Sequence, residues 1–141
     1  MQWLVDGMNV LGSRPDGWWR DRPAGRRRLV RELAAFAGDG EGGLTVVFDG
    51  RGDPAEVELG RAQGVTVVFA PGGPDAADHV IAEMVEAPVA PVGSKASPDR
   101  ERPVTVVTSD TELAARVRAA GADVIGSSTF LGLLGTCSER P

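Results

Sequence analysis

Short apolar runs rich in valine, each closed by Gly, Pro or Asp, recur along the chain. Trp3-Leu4-Val5, Leu44 to Phe48, Val65 to Phe69 and Val104 to Val107 are the strong ones, and Val124-Ile125 is a weaker fifth. Continuous apolar runs without alternation predict strands covered on both faces, as in a parallel sheet. Segments of helical period separate them. The first, about Ala24 to Ala37, gathers Leu29, Leu33, Phe36 and Ala37 on one face and spreads Arg26, Arg27, Arg28 and Arg31 around the rest. The second, about Asp75 to Ala87, carries the stripe Ala77, Ile81, Met84 and Val85. The third follows Ser109, read with Glu112 as a capping box, and its stripe is Leu113, Ala114 and Val117. Phe130 to Leu134 predicts a short closing helix, and the polar stretch between the second and third strands has room for only a short one.

Strands alternating with helices predict an α/β fold with a mainly parallel sheet. In the strand order 3-2-1-4-5 the first strand is central and ligands gather at the carboxyl edge of the sheet. The Pro-rich, aperiodic residues 88–102 read as a mobile surface loop, and 135–141 as a tail. The run Gly38 to Gly43 precedes a strand instead of following one, so it reads as a turn and not as a phosphate-cradling loop. A length of 141 residues predicts one domain spanning 1–141.

Composition then narrows the function classes. Hydrophobic residues at 42% and charged residues at 25% exclude wholesale disorder. No apolar run reaches the ~18 residues a membrane span needs, and the start lacks the basic and apolar regions of a signal peptide, so a cytoplasmic protein with no membrane partner is expected. A single cysteine, Cys137, and a single histidine, His79, exclude an internal disulfide and the usual zinc sites. Any metal must be held by oxygen. The net charge of −5 weighs against general affinity for nucleic acid, yet the charge is segregated. Seven Arg from Arg14 to Arg31, against Asp16 and Asp21, give that stretch +5 and leave −10 elsewhere.

The acids fall at strand ends. The first strand runs into Asp6-Gly7-Met8-Asn9, the second into Asp49-Gly50 and the fourth into Thr108-Ser109-Asp110, while Asp75-Ala76-Ala77-Asp78 opens the helix after the third. Each residue taken alone has an ordinary structural explanation, since Asp is common at turns, N-caps and first helical turns. The set is harder to explain that way. Four converging carboxylates repel by a sum on the order of 10 kcal/mol at an effective dielectric of ~20, comparable to the stability of a whole domain. A cation or raised pKa values must relieve it. Hard oxygen ligands suit Mg²⁺ or Mn²⁺, which suits phosphodiester hydrolysis by water, and no Ser or Cys nucleophile with a partner base is evident. Asn9 either orients a phosphate or caps a turn, and His79 reads as a surface residue.

Together Asp6-Gly7-Met8-Asn9, Val46-Val47-Phe48-Asp49, Asp75-Ala76-Ala77-Asp78 and Val106-Val107-Thr108-Ser109-Asp110 resemble the YacP-like branch of the NYN domain family, within the PIN-like nuclease superfamily. The resemblance runs from Trp3 to about Leu134. It implies a three-layer α/β/α PIN-like, Rossmannoid fold and a metal-dependent endoribonuclease. On that pattern Asp6, Asp49, Asp78 and Asp110 are the metal-binding acids and Asn9 their amide partner, with Asp75 and Ser109 as further candidates. Asp75 stands where the branch usually has Glu, and Glu112 stands where many relatives have a second Asp.

The Arg-rich stretch follows the first strand and starts at the same sheet edge. Arg14, Arg20, Arg22, Arg26 and Arg27 suit phosphates, and Trp18 and Trp19 suit stacking on unpaired bases. Alternatively the arginines form a solvated helix face and one Trp packs into the core. The expected function is therefore an endoribonuclease acting on single-stranded RNA, as a monomer or weak homodimer. A domain that grips RNA or a ribonucleoprotein such as the ribosome without cutting is the alternative. A phosphatase of small phosphoesters uses similar chemistry, but the first strand lacks an Asp-x-Asp nucleophile pattern.

Overall fold

The computed structural model describes residues 2–13, 20–37, 43–52, 54–73, 76–86 and 104–138. Its elements alternate: β1 (Gln2–Asp6), α1 (Gly7–Gly12), α2 (Arg22–Ala37), β2 (Leu44–Asp49), α3 (Pro54–Ala62), β3 (Thr66–Ala70), α4 (Ala76–Glu86), β4 (Val104–Val107), α5 (Thr111–Ala119), β5 (Asp123–Ile125) and α6 (Ser127–Ser138). The five strands form one all-parallel sheet in the order β3-β2-β1-β4-β5. That is the predicted α/β fold and strand order.

Successive strand residues face opposite sides of the sheet, and the valine-rich runs use both sides. Val5, Val46, Phe48, Val67 and Val107 pack on one side with Val10 and Leu11 of α1, Leu29, Val30 and Leu33 of α2, and Phe130 and Leu134 of α6. Leu4, Val47, Ala70 and Val106 pack on the other with Ala77, Ile81 and Ala82 of α4 and Leu113 and Val117 of α5. Trp3, Phe36 and Phe130 meet at ring centroid distances of 5.1 to 5.7 Å and join β1, α2 and α6. The result is three layers, helix on sheet on helix. Among the described residues, no helix is long and apolar enough to cross a membrane.

Three details differ from the sequence expectation. The strand-to-loop passage after Asp6 is the short helix α1, capped by Asp6 itself. A side chain at Gly7 would put its Cβ 2.5 Å from two ring carbons of Phe48, so glycine is what lets α1 lie this close to β2. The cap of α5 is Asp110 and not Ser109: the Asp110 side chain accepts from the N–H groups of both Glu112 and Leu113, so the expected Ser109–Glu112 capping box does not form. Finally, α6 continues to Ser138, so residues 135–138 belong to a helix and not to a tail. The loop at 88–102 lies outside the described residues.

Candidate active site

Side-chain parity decides which acids meet. Asp6 shares the face of Leu4, and Asp49 the face of Val47, so both lean toward the layer of α4 and α5. The register pairs Asp6 with Val47 on one side, and on the other pairs Val5 with Val107, so Thr108 stands level with Asp6. Asp49 and Asp110 each lie two residues further along, roughly 7 Å past Asp6 at the usual strand rise. They rim the edge while Asp6 sits at its floor.

Asp6 is 4% exposed. Its Oδ2 accepts from the Thr108 hydroxyl at 3.0 Å, and its Oδ1 accepts from the Asn9 N–H at 3.4 Å. Burial is the largest influence on its acidity and raises the pKa. The Thr108 and Asn9 hydrogen bonds oppose it, Asp78 and Asp49 reinforce it, and the carboxyl is pushed up to about 6. Asp49, half-buried, accepts from the Ala77 N–H at 3.0 Å and so ties β2 to the first turn of α4. Asp78, also half-buried, lies in that same turn. Thus Asp6, Asp49 and Asp78 are brought together electrostatically. Asp110 differs, because its Oδ1 takes two backbone N–H groups at 2.9 and 3.0 Å.

Asn9 Oδ1 accepts from the Ser109 N–H at 2.9 Å and from the Ser127 hydroxyl, while Ser109 Oγ accepts from the Ser127 N–H at 2.9 Å. Thr108 Oγ1 also receives the Asp110 N–H at 3.1 Å. Sequence reasoning missed Thr108 and Ser127. Thr108 is recoverable in principle, since parity puts it on the Asp6 face two residues before Asp110; Ser127 carries no comparable signal.

The basic stretch divides. Arg14, Trp18, Trp19 and Asp75 lie outside the described residues. Arg20, Arg22 and Arg27 are exposed. Arg26 is drawn inward: its Nε donates to both Glu56 oxygens at 3.1 and 3.3 Å, Glu56 is only 3% exposed, and the guanidinium lies 5.7 Å from the Phe69 ring centroid. This fixes α2 against α3 and the end of β3, near the carboxyl edge of the sheet. Arg26 is thus a structural cation, unlike its exposed neighbours. His79 is exposed and its Nδ1 stands 3.4 Å from Arg116, whose guanidinium holds Glu86 in two bonds of 2.7 and 2.8 Å across α4 and α5.

The donor set fits a hydrated hard cation better than a closed cage. Among the described residues, no three His, Cys, Asp or Glu side chains stand close enough to hold a metal ion directly. Mg²⁺ keeps several waters and takes only one or two protein carboxylates, so buried Asp6 with Asp49 or Asp78 beside it meets that requirement. A cation there would also offset the burial and the lesser repulsion from Asp78 and Asp49 that together raise the Asp6 pKa.

Comparison with known proteins agrees with this architecture. Residues 3–140 match the family described as the YacP-like NYN domain. A crystal structure of a mutant of Rae1 (YacP) from Bacillus subtilis is similar at a TM-score of 0.71 and 21% identity, over 99% of this chain and 77% of that one. A second crystal structure of Rae1 (YacP) from Bacillus subtilis is similar at a TM-score of 0.69 and 22% identity, over 99% and 76%. No curated protein sequence matches the chain.

Proposed function

Because the chain belongs to the YacP-like NYN domain family, we propose that it is a metal-dependent endoribonuclease hydrolysing phosphodiester bonds of single-stranded RNA. One observation carries the reading: a carboxylate 4% exposed, with its pKa pushed up to about 6 and two further acids adding to that push. Such a group is costly to the fold and useful to a cation. Asp6, with Asp49 and Asp78 at the rim, would hold Mg²⁺ or Mn²⁺, and Asp110 would offer it the oxygen that its helix cap leaves over. When bound, the ion supplies an acidified water and a counter-charge for the phosphodiester. The chain's own residues do the rest. Thr108 fixes the orientation of the Asp6 carboxylate, Asp49 seats α4 so that Asp78 faces the site, and Asn9 presents an amide to the phosphate. Arg20, Arg22 and Arg27 supply exposed positive charge to the RNA backbone.

The test is incubation of purified protein with a labelled RNA in Mn²⁺, with and without EDTA, beside Asp6→Asn and Asp110→Asn. Cleavage that EDTA stops and Asp6→Asn abolishes supports the reading. Equal cleavage by all three proteins refutes it. The net charge of −5, which leaves so small a domain dependent on a larger particle for its hold on RNA, favours a second reading, an RNA- or ribonucleoprotein-binding domain that does not cut. RNA retention insensitive to chelator, with no product after long incubation, would select that one.

A further inference from the structure

Ser127 opens α6 with 0% exposure, yet its polar groups point back to the site. Its hydroxyl donates to Asn9 Oδ1 and its N–H donates to Ser109 Oγ, so α1, the loop after β4 and the head of α6 close on one another. A backbone N–H can only donate, so the Asn9 atom 2.9 Å from the Ser109 nitrogen must be the amide oxygen. The Ser109 N–H forbids a flip, which would set Asn9 Nδ2 against that donor, and the Ser127 hydroxyl, able to donate or accept, takes the second lone pair of the same oxygen. The Asn9 Nδ2 is therefore turned away from both serines, and no acceptor for it stands among the described residues. Asn9 is half-buried and lies three residues past Asp6, which places the two side chains as neighbours at the same helix end.

We infer that Ser127 is a positioning residue: through Asn9 Oδ1 it aims the Asn9 amide as a hydrogen-bond donor to a non-bridging phosphate oxygen of RNA lying on the Asp6 edge. The substrate in this inference rests on the nuclease reading; the orientation of the amide does not. Ser109 contributes its N–H to the same oxygen and holds Ser127 in turn. A merely structural Ser127 would staple α6 to the sheet and affect stability alone.

Kinetics and NMR on the full chain separate these. Asn9→Asp keeps the acceptor for both serines and replaces the donor by oxygen, and Ser127→Ala removes one lock. Both should unfold within a few degrees of wild type. Ser127→Ala should lower kcat by ~10- to 100-fold with KM changed about threefold or less, the scale at which supporting side chains act. Asn9→Asp should lose more. In EDTA, the Asn9 side-chain amide pair, identified as the signal missing in Asn9→Asp, should shift on adding a short single-stranded RNA, and should broaden and stop responding in Ser127→Ala. Wild-type kcat in Ser127→Ala, or an amide pair equally sharp and responsive there, would overturn the inference. If wild type cuts no RNA, the nuclease reading fails on its own; an RNA-induced amide shift lost in Ser127→Ala would still uphold the positioning role, and no shift in wild type would end it.

Discussion

Asp6 closes β1 and Asp110 comes shortly after the neighbouring strand β4, each beyond an apolar run, and the fold gives them opposite surroundings. Asp6 is buried, meets one hydroxyl and one long N–H contact, and has Asp78 and Asp49 pressing on its charge. Asp110 is half-exposed and accepts two short N–H bonds from the first turn of α5. Water removed from a carboxylate must be replaced. At Asp110 the helix replaces it with oriented N–H groups, and the charge strengthens the fold. At Asp6 the replacement is incomplete, so the same charge weakens the fold. Strand-end acids are not equivalent, and the hydrogen bonds that each accepts separate the cap from the candidate ligand.

The largest expected effect tests that contrast on activity. Asp6→Asn should lower cleavage at least ~10²-fold, the scale of deleting one charge-stabilising group, while Asp110→Asn should lose only about tenfold, because Asn caps nearly as well and the carboxylate there is already held by two N–H groups. The metal-free stability should move the other way. Asn at position 6 can still accept from Thr108 but carries no charge, so Asp6→Asn should melt several degrees higher than wild type in EDTA at neutral pH. Calorimetry with matched cleavage assays checks both. Equal losses of activity would make the two aspartates one cluster.

Titration sharpens the comparison further. The Asp6 pKa is raised from 3.8 to about 6, so its contribution to stability is fully present below pH ~4 and is lost as pH rises through about 6. The loss amounts to roughly 3 kcal/mol in metal-free protein. Cation binding needs the ionised form, so Mn²⁺ affinity and cleavage should rise over the same interval and level off above it. Opposite slopes in the two readouts, both absent in Asp6→Asn, are expected from denaturant melts and activity measured between pH 4 and 8. Parallel slopes would mean that another group titrates.

This contrast also marks where sequence reasoning ran out. The valine runs and helical stripes gave the parallel sheet, its order and the helix layers, because burial on both faces leaves an unmistakable pattern. That Asp6, Asp49 and Asp78 lie near one another is legible because two strand ends and the start of α4 share an edge. Their unequal roles were hidden, since these depend on register: Thr108, not Asp110, stands level with Asp6. The six residues of α1 are too few to show a period, and Ser109 and Asp110 are equally good N-caps by type, so the sequence does not choose between them. The Arg26–Glu56 pair was out of reach, because nothing local says that one arginine among several will meet a buried glutamate 30 positions on.

Gly7 tests the Asp6 side without touching a charge. Its missing Cβ leaves room for Phe48 and Val46, which an added methyl would approach to 2.5 and 3.0 Å. Gly7→Ala should cost about 1–3 kcal/mol in urea unfolding at an unchanged m-value, as overpacking does. Displacing α1 would also move Asn9 from Ser109 and Ser127, so activity should fall by more than the lost folded fraction. A loss of stability alone would mean that α1 tolerates the shift and the amide is not held tightly.

The smallest effect belongs to Asp110, and its sign decides the comparison. Asp110→Ala removes an acceptor from the Glu112 and Leu113 N–H groups and should destabilise by about 1 kcal/mol, whereas Asp110→Asn should stay within a few tenths. Glu112, whose carboxylate stands in the same first turn, keeps part of the favourable interaction with the helix dipole, which holds the loss near that value. Denaturant unfolding of the two variants in EDTA, beside Asp6→Asn, makes the measurement. If Asp110→Ala instead raised stability as Asp6→Asn is expected to, the charge at 110 would belong to the repelling group after all, and a site of four equal acids would replace one buried ligand with a structural cap beside it.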